Sequence, residues 1–167
     1  NQGQELVHTA IWVAGNEQQK MGRGALVVFE GADRSGKTTQ TARCVTALRS
    51  AGVPVASGAP WKFPDRTTAI GAMIDAYLTN NTDMDDHALH LLFSANRWEK
   101  SKDIWKALND GETVVLDRYA FSGVAYSAAK GMDLEWCKTC DRGLPAPDVV
   151  IYLDLPLDVA VCRGQFG

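Results

Sequence analysis

Apolar runs of strand length alternate along this chain with windows whose apolar residues recur at helical spacing, and that alternation predicts βαβ units around a parallel sheet. Ala25 to Glu30 (ALVVFE) is a continuous apolar run, as expected for a strand covered on both faces. Lys37 to Ser50 follows as a helix, with Gly52 at the position of a C-terminal cap. Val53 to Ser57 reads as a second short strand and Ala69 to Leu78 as a helix. After the polar turn Thr79 to Asp83, Asp85 or Asp86 can cap a long helix running to about Asn109 and closed by Gly111. Thr113 to Asp117 (TVVLD) is a third strand, and Val149 to Leu155 (VVIYLDL) a fourth, preceded by the loop Leu144 to Asp148 with its two prolines. There is no internal repeat and no low-complexity linker.

Residues Asn1 to Lys20 show no sustained periodicity, whereas Met21 opens a Met-Gly-Arg-Gly step directly into the first strand pattern. The expected organisation is therefore a leader or appended extension over residues 1–22, outside the fold, and one domain over residues 23–167. With 167 residues, 46% hydrophobic and 22% charged, that domain can bury a core of its own.

A net charge of -3 argues against a protein that wraps a nucleic acid polymer, so any anion must be held by a local cluster of basic groups. No apolar run approaches the roughly 20 residues needed to span a bilayer, and the N-terminus lacks the layout of a secretory signal. The expectation is an intracellular protein with no membrane partner. Cys44, Cys137, Cys140 and Cys162 are too scattered for a disulfide framework. Cys137 and Cys140 form a C-x-x-C, and His87 and His90 an H-x-x-H, but the cysteines lie in a helix-like stretch with Trp136 and not in a tight knuckle, so core positions are expected over a zinc site.

The step from the first strand to the first helix is Gly31-Ala32-Asp33-Arg34-Ser35-Gly36-Lys37-Thr38, a full match to G-x-x-x-x-G-K-[ST] in its proper strand-to-helix setting. Glycines let such a loop curl its N–H groups toward phosphate oxygens, and the helix adds its positive end. Lys37 is placed to reach the β- and γ-phosphates and the Thr38 hydroxyl to ligate Mg²⁺, which implies ATP or a related triphosphate. Kinases, switch GTPases and mechanical ATPases share this cradle. Downstream there is neither a D-x-x-G switch nor an N-K-x-D base reader.

Three further stretches carry the distinction: Phe63-Pro64-Asp65-Arg66, Leu91-Leu92-Phe93-Ser94-Ala95-Asn96-Arg97-Trp98 and Asp117-Arg118-Tyr119-Ala120-Phe121-Ser122-Gly123. Together with the P-loop, and in this order, they resemble the thymidylate kinase family from about Arg23 to Gly167. The resemblance implies a three-layer P-loop NTPase fold, transfer of a phosphoryl group from ATP to dTMP with Mg²⁺, and a homodimer. It places Gly31 to Lys37, Thr38, Thr39 and Arg163 on ATP, with Arg34, Lys37 and Asp117 in catalysis. Thr38 is expected to hold Mg²⁺ directly, and Asp117, ending its strand as a Walker-B-like carboxylate would, to orient Mg²⁺ through water or the acceptor phosphate through Arg118. By the same resemblance Arg66 and Arg118 would grip the dTMP phosphate, which their planar forks suit better than lysine would. Phe93 and Arg97 are four residues apart on one helix face, and the resemblance implies that they stack the thymine and read its carbonyl edge. Phe63 walls that pocket, Tyr126 lies beside the base and sugar, Ser122 and Gly123 make close contacts, and Asp33 meets the deoxyribose 3′-hydroxyl. Arg34 marks the subgroup whose catalytic arginine sits in the P-loop. Arg163-Gly164-Gln165-Phe166-Gly167 resembles the start of the lid, which continues in the family. Another nucleoside monophosphate kinase, or a non-catalytic nucleotide-binding fragment, are the rival readings.

Overall fold

The computed structural model describes residues 8–13, 22–79, 82–156 and 159. Its strands are β1 (His8–Val13), β2 (Leu26–Gly31), β3 (Trp61–Lys62), β4 (Val114–Asp117) and β5 (Val149–Asp154), and its helices α1 (Lys37–Ser50), α2 (Ala69–Leu78), α3 (Asp86–Asn109), α4 (Ala120–Ala129) and α5 (Leu134–Thr139). The strands form one sheet in the order β1-β5-β2-β4-β3. β5, β2, β4 and β3 are parallel to one another, and β1 joins β5 antiparallel with His8 opposite Asp154 and Val13 opposite Val149. The stretch expected to lie outside the fold thus supplies an edge strand through residues 8–13. HTAIWV is short, and nothing beside it marks a helix to follow. Met21, Cys162 and Arg163 lie outside the described residues.

The apolar run of β2 has side chains pointing alternately to two faces, and both are covered. Leu26 and Val28 pack with Val114 and Leu116 against Ile104 and Leu108 of α3. Phe29 packs with Val115 and Leu153 against Val45 of α1, and Val27 joins that cluster. Helix, sheet and helix therefore make the three expected layers.

Helix ends follow the expected chemistry. The Asp85 carboxylate accepts from the N–H groups of His87 and Ala88 at 2.9 and 3.2 Å and caps α3. Thr68 caps α2 by accepting from Gly71 N–H. α1 stops where Gly52 takes φ 75°, a left-handed conformation.

The strand expected at Val53–Ser57 is corrected to a single bridge, Val55 to Thr113. Pro54 has no N–H to give a ladder, so contact is limited to Thr113 N–H on the Pro54 carbonyl and Ala56 N–H on the Thr113 carbonyl. The chain turns through Gly58 and Pro60 before Trp61 and Lys62 pair with Leu116 and Asp117. Among the described residues, no helix is long and apolar enough to cross a membrane.

Candidate active site

The parallel strands β2, β4 and β3 end on one edge of the sheet, where open α/β sheets bind ligands. A cavity of about 760 Å³ opens there. It is lined by Asp33, Arg34, Gly36, Lys37, Thr38 and Thr39 from the P-loop side, and by Phe63, Arg66, Phe93, Arg97, Asp117, Arg118, Ser122, Gly123 and Tyr126 from the other. Gly31, Ala32 and Ser35 stand behind this lining and hold Lys37: its ammonium donates to the Gly31 and Ala32 carbonyls at 3.0 and 2.6 Å and lies 3.4 Å from Ser35 Oγ. Burial, followed by the Arg118 charge, pulls the Lys37 pKa below its ordinary value. Gly31 has φ 145°, and a Cβ there would stand 2.5 Å from the Leu153 carbonyl oxygen, so only glycine brings the loop this close to β5. At the N-terminus of α1, Gly36 supplies no side-chain cap, which leaves the first-turn N–H groups for an anionic ligand.

Thr38 Oγ1 donates to Asp117 Oδ2 at 2.7 Å. The other Asp117 oxygen, Oδ1, is buried and has no hydrogen-bond partner. A buried carboxyl oxygen left without a partner is costly unless a cation completes it, and hard divalent cations take oxygen donors of this kind. These residues fit Mg²⁺.

Arg34 and Arg118 are the non-glycine residues with positive φ among those described, at 65° and 69°. Such backbone costs of order 1–3 kcal/mol and concentrates at functional sites. Arg118 follows β4, and its guanidinium pairs with Asp33 and donates to Ser122 Oγ at 3.0 Å and the Gly31 carbonyl at 3.3 Å. The Tyr126 hydroxyl donates to the second Asp33 oxygen at 3.2 Å. Arg66 pairs with Asp75 at 2.8 Å while more than half exposed, so the pair is weak enough to yield to a ligand.

At the far end, Phe93 is half-buried on the cavity wall rather than in the core. Arg97, one helical turn on, is 2% exposed. Its fork is taken by Asp141, with Nε on Oδ1 at 3.0 Å and Nη2 on Oδ2 at 2.7 Å. Phe63 is buried with its ring 5.7 Å from Tyr119.

Three site-supporting residues were not anticipated. Glu30, 4% exposed, accepts from the N–H groups of Tyr119 and Ser122 and from Ser122 Oγ at 2.9, 3.2 and 2.5 Å, capping α4 from the neighbouring strand. Its signal was a carboxylate closing an otherwise apolar strand. Asn96 accepts from Asp65 N–H at 2.7 Å and donates to the Asp65 carbonyl at 3.1 Å, which fixes the turn bearing Arg66. Asp141 had no local signal. The paired C-x-x-C and H-x-x-H form no metal centre: His90 contacts Ser127 Oγ and the Cys137 carbonyl, His87 packs edge-on against Trp136, and no group of three His, Cys, Asp or Glu able to hold a metal occurs among the described residues.

The thymidylate kinase family model matches residues 29–167. A thymidylate kinase of Arabidopsis thaliana is 53% identical over 145 residues, covering 87% of this chain and 54% of the relative. One of Schizosaccharomyces pombe is 54% identical over 148 residues, covering 89% and 69%. The chain thus spans about half the length of the first and about two thirds of the second. The solved thymidylate kinase structure of Candida albicans superposes with a TM-score of 0.76 at 41% identity, over 87% of this chain and 69% of that one. With a sheet order and cavity of its own to set beside these matches, the chain belongs to the thymidylate kinase family.

Proposed function

We propose that the cavity transfers the γ-phosphoryl group of ATP to dTMP, giving dTDP and ADP. One observation carries the reading: a phosphate cradle built on Lys37 and Thr38 shares a single cavity with an aromatic face and a donor-only guanidinium, Phe93 and Arg97, four residues apart on α3. Phosphates belong at one end and a flat base with carbonyl acceptors at the other. Another nucleoside monophosphate kinase would share the first half without this pair.

In this reading Lys37 leaves the loop carbonyls for the β- and γ-phosphates, and the bare N-terminus of α1 receives their oxygens. Thr38 and Asp117 would hold Mg²⁺, which would supply positive charge against the triphosphate. Arg34 stabilises the charge spreading on the transferred group, as arginine fingers do. Arg118 and Arg66 take the acceptor phosphate, and Asp33, already joined to Arg118 and Tyr126, takes the sugar hydroxyl. An enzyme that consumes ATP in this way works inside the cell. A second copy of the chain is expected to cover the exposed Leu91, Trp98 and Trp105 of α3, which recur every seven residues.

The test is an ADP-release assay with dTMP, dUMP, dCMP, AMP and GMP as acceptors. Turnover should be fastest with dTMP and require Mg²⁺. ATP binding without transfer to any acceptor, or preference for a purine nucleotide, would overturn the reading.

A further inference from the structure

We propose that Asp141 is a positioning residue that sets acceptor-base specificity by holding Arg97 in one orientation. The proposal rests on the dTMP reading above and adds to it the origin of the selectivity. Arg97 and Asp141 side chains are 3% and 6% exposed, and the carboxylate takes the Nε and Nη2 edge of the guanidinium in two parallel bonds. Asp141 is itself steadied by Ser94, whose hydroxyl lies 2.8 Å from Oδ1 and 3.0 Å from the Cys140 carbonyl. On the opposite side the guanidinium lies against Gly123 of α4, where a Cβ would stand 2.9 Å from Nη1 and Nη2. Carboxylate and backbone together fix the plane of the group, leaving Nη1 as the nitrogen outside the Asp141 fork.

Two chemical consequences follow. A fixed guanidinium offers only N–H donors, so it accepts a pyrimidine with a carbonyl at position 4 and opposes one with an amine there. A guanidinium free to swing could withdraw from the amine and admit a water, and the discrimination would fade. Asp141 also cancels the Arg97 charge. Without it, a buried cation at the base end would compete with Arg66 and Arg118 for the acceptor phosphate.

The experiment measures dTMP and dCMP dissociation constants for the wild-type protein, Asp141→Asn, Arg97→Gln and the double variant, with ATP affinity and thermal stability alongside. Asp141→Asn should weaken dTMP by roughly 10- to 100-fold, the loss of one well-oriented charge-assisted hydrogen bond. It should leave dCMP and ATP nearly unchanged, so that the ratio between the two pyrimidines collapses. In the Arg97→Gln background the Asp141 change should add no further loss, because it acts through Arg97. Additive losses, or an Asp141→Asn protein that discriminates as well as wild type, would overturn the inference alone. Wild-type protein that does not prefer dTMP would overturn the acceptor reading and this inference with it. Should Asp141→Asn fail to fold, Ser94→Ala decides: it removes only the hydroxyl against Oδ1, and the pyrimidine ratio must shrink in the same direction or the proposal fails.

Discussion

Left-handed backbone at an arginine is informative because a residue with a Cβ rarely adopts it without cost. Arg34 has φ 65° inside the P-loop, where the turn that curls around phosphates demands it. Arg34→Gly removes the guanidinium while suiting the backbone, so stability should stay within about 1 kcal/mol of wild type. Turnover should fall by a factor on the order of 10² or more, in kcat and kcat/KM together, with KM for dTMP little changed. Steady-state kinetics beside a thermal melt checks this: a variant that loses ATP affinity but keeps kcat makes Arg34 a binding residue. Residues of this kind were legible because motif and spacing carried them. Phe93 and Arg97 could be placed on one face from a four-residue interval, but the orientation of Arg97 depends on Asp141, 44 residues away in the chain. No periodicity reports a partner held across a loop. For the same reason Asn96, within a recognised stretch, gave no sign that it clamps the Asp65 turn.

At the scale of elements, legibility followed the completeness of local signals. The helices Lys37–Ser50, Ala69–Leu78 and Asp86–Asn109 match the expected spans because each carries its own cap or stop. Helix α4 was not anticipated, and the reason is physical: its N-cap residue, Tyr119, makes no side-chain cap bond, and Glu30 of β2 caps the helix instead. That arrangement yields a pH prediction. Burial is the largest influence on Glu30 and pushes its pKa above the ordinary 4.5, against the hydrogen bonds from Ser122 and Tyr119. A carboxyl whose folded pKa is raised contributes stability that is fully present below 4.5 and lost as pH rises through the folded value. Glu30→Gln keeps an acceptor for the two N–H groups but cannot ionise. The stability of wild type relative to this variant should therefore decline as pH rises from about 4.5 toward neutrality. Denaturant melts of both proteins over that range decide it, and a constant difference would mean that Glu30 ionises in the fold as readily as in the unfolded chain.

At the scale of the molecule, what sequence patterning could not reach was how surfaces are covered. Continuous apolar strands implied a sheet buried on both faces, and the clusters against α1 and α3 answer that requirement. The edge strand β1 was missed because pairing with β5 is a non-local choice that a short run cannot announce. The outer face of α3 poses the same question in a form that experiment can answer. Leu91, Trp98 and Trp105 are 50%, 40% and 43% exposed, and their seven-residue spacing aligns them along the helix. Three large apolar side chains in line, two of them tryptophans, match the composition of the core of a protein interface. A second copy burying this stripe predicts that light scattering finds the wild-type protein at twice the chain mass. Trp105→Glu would place a carboxylate in a desolvated contact and should return the protein to single-chain mass, while the buried side of α3, including Ile104 and Leu108, keeps its packing and the monomer stays folded. A Trp105→Glu protein that remains at double mass would assign the dimer contact to another face.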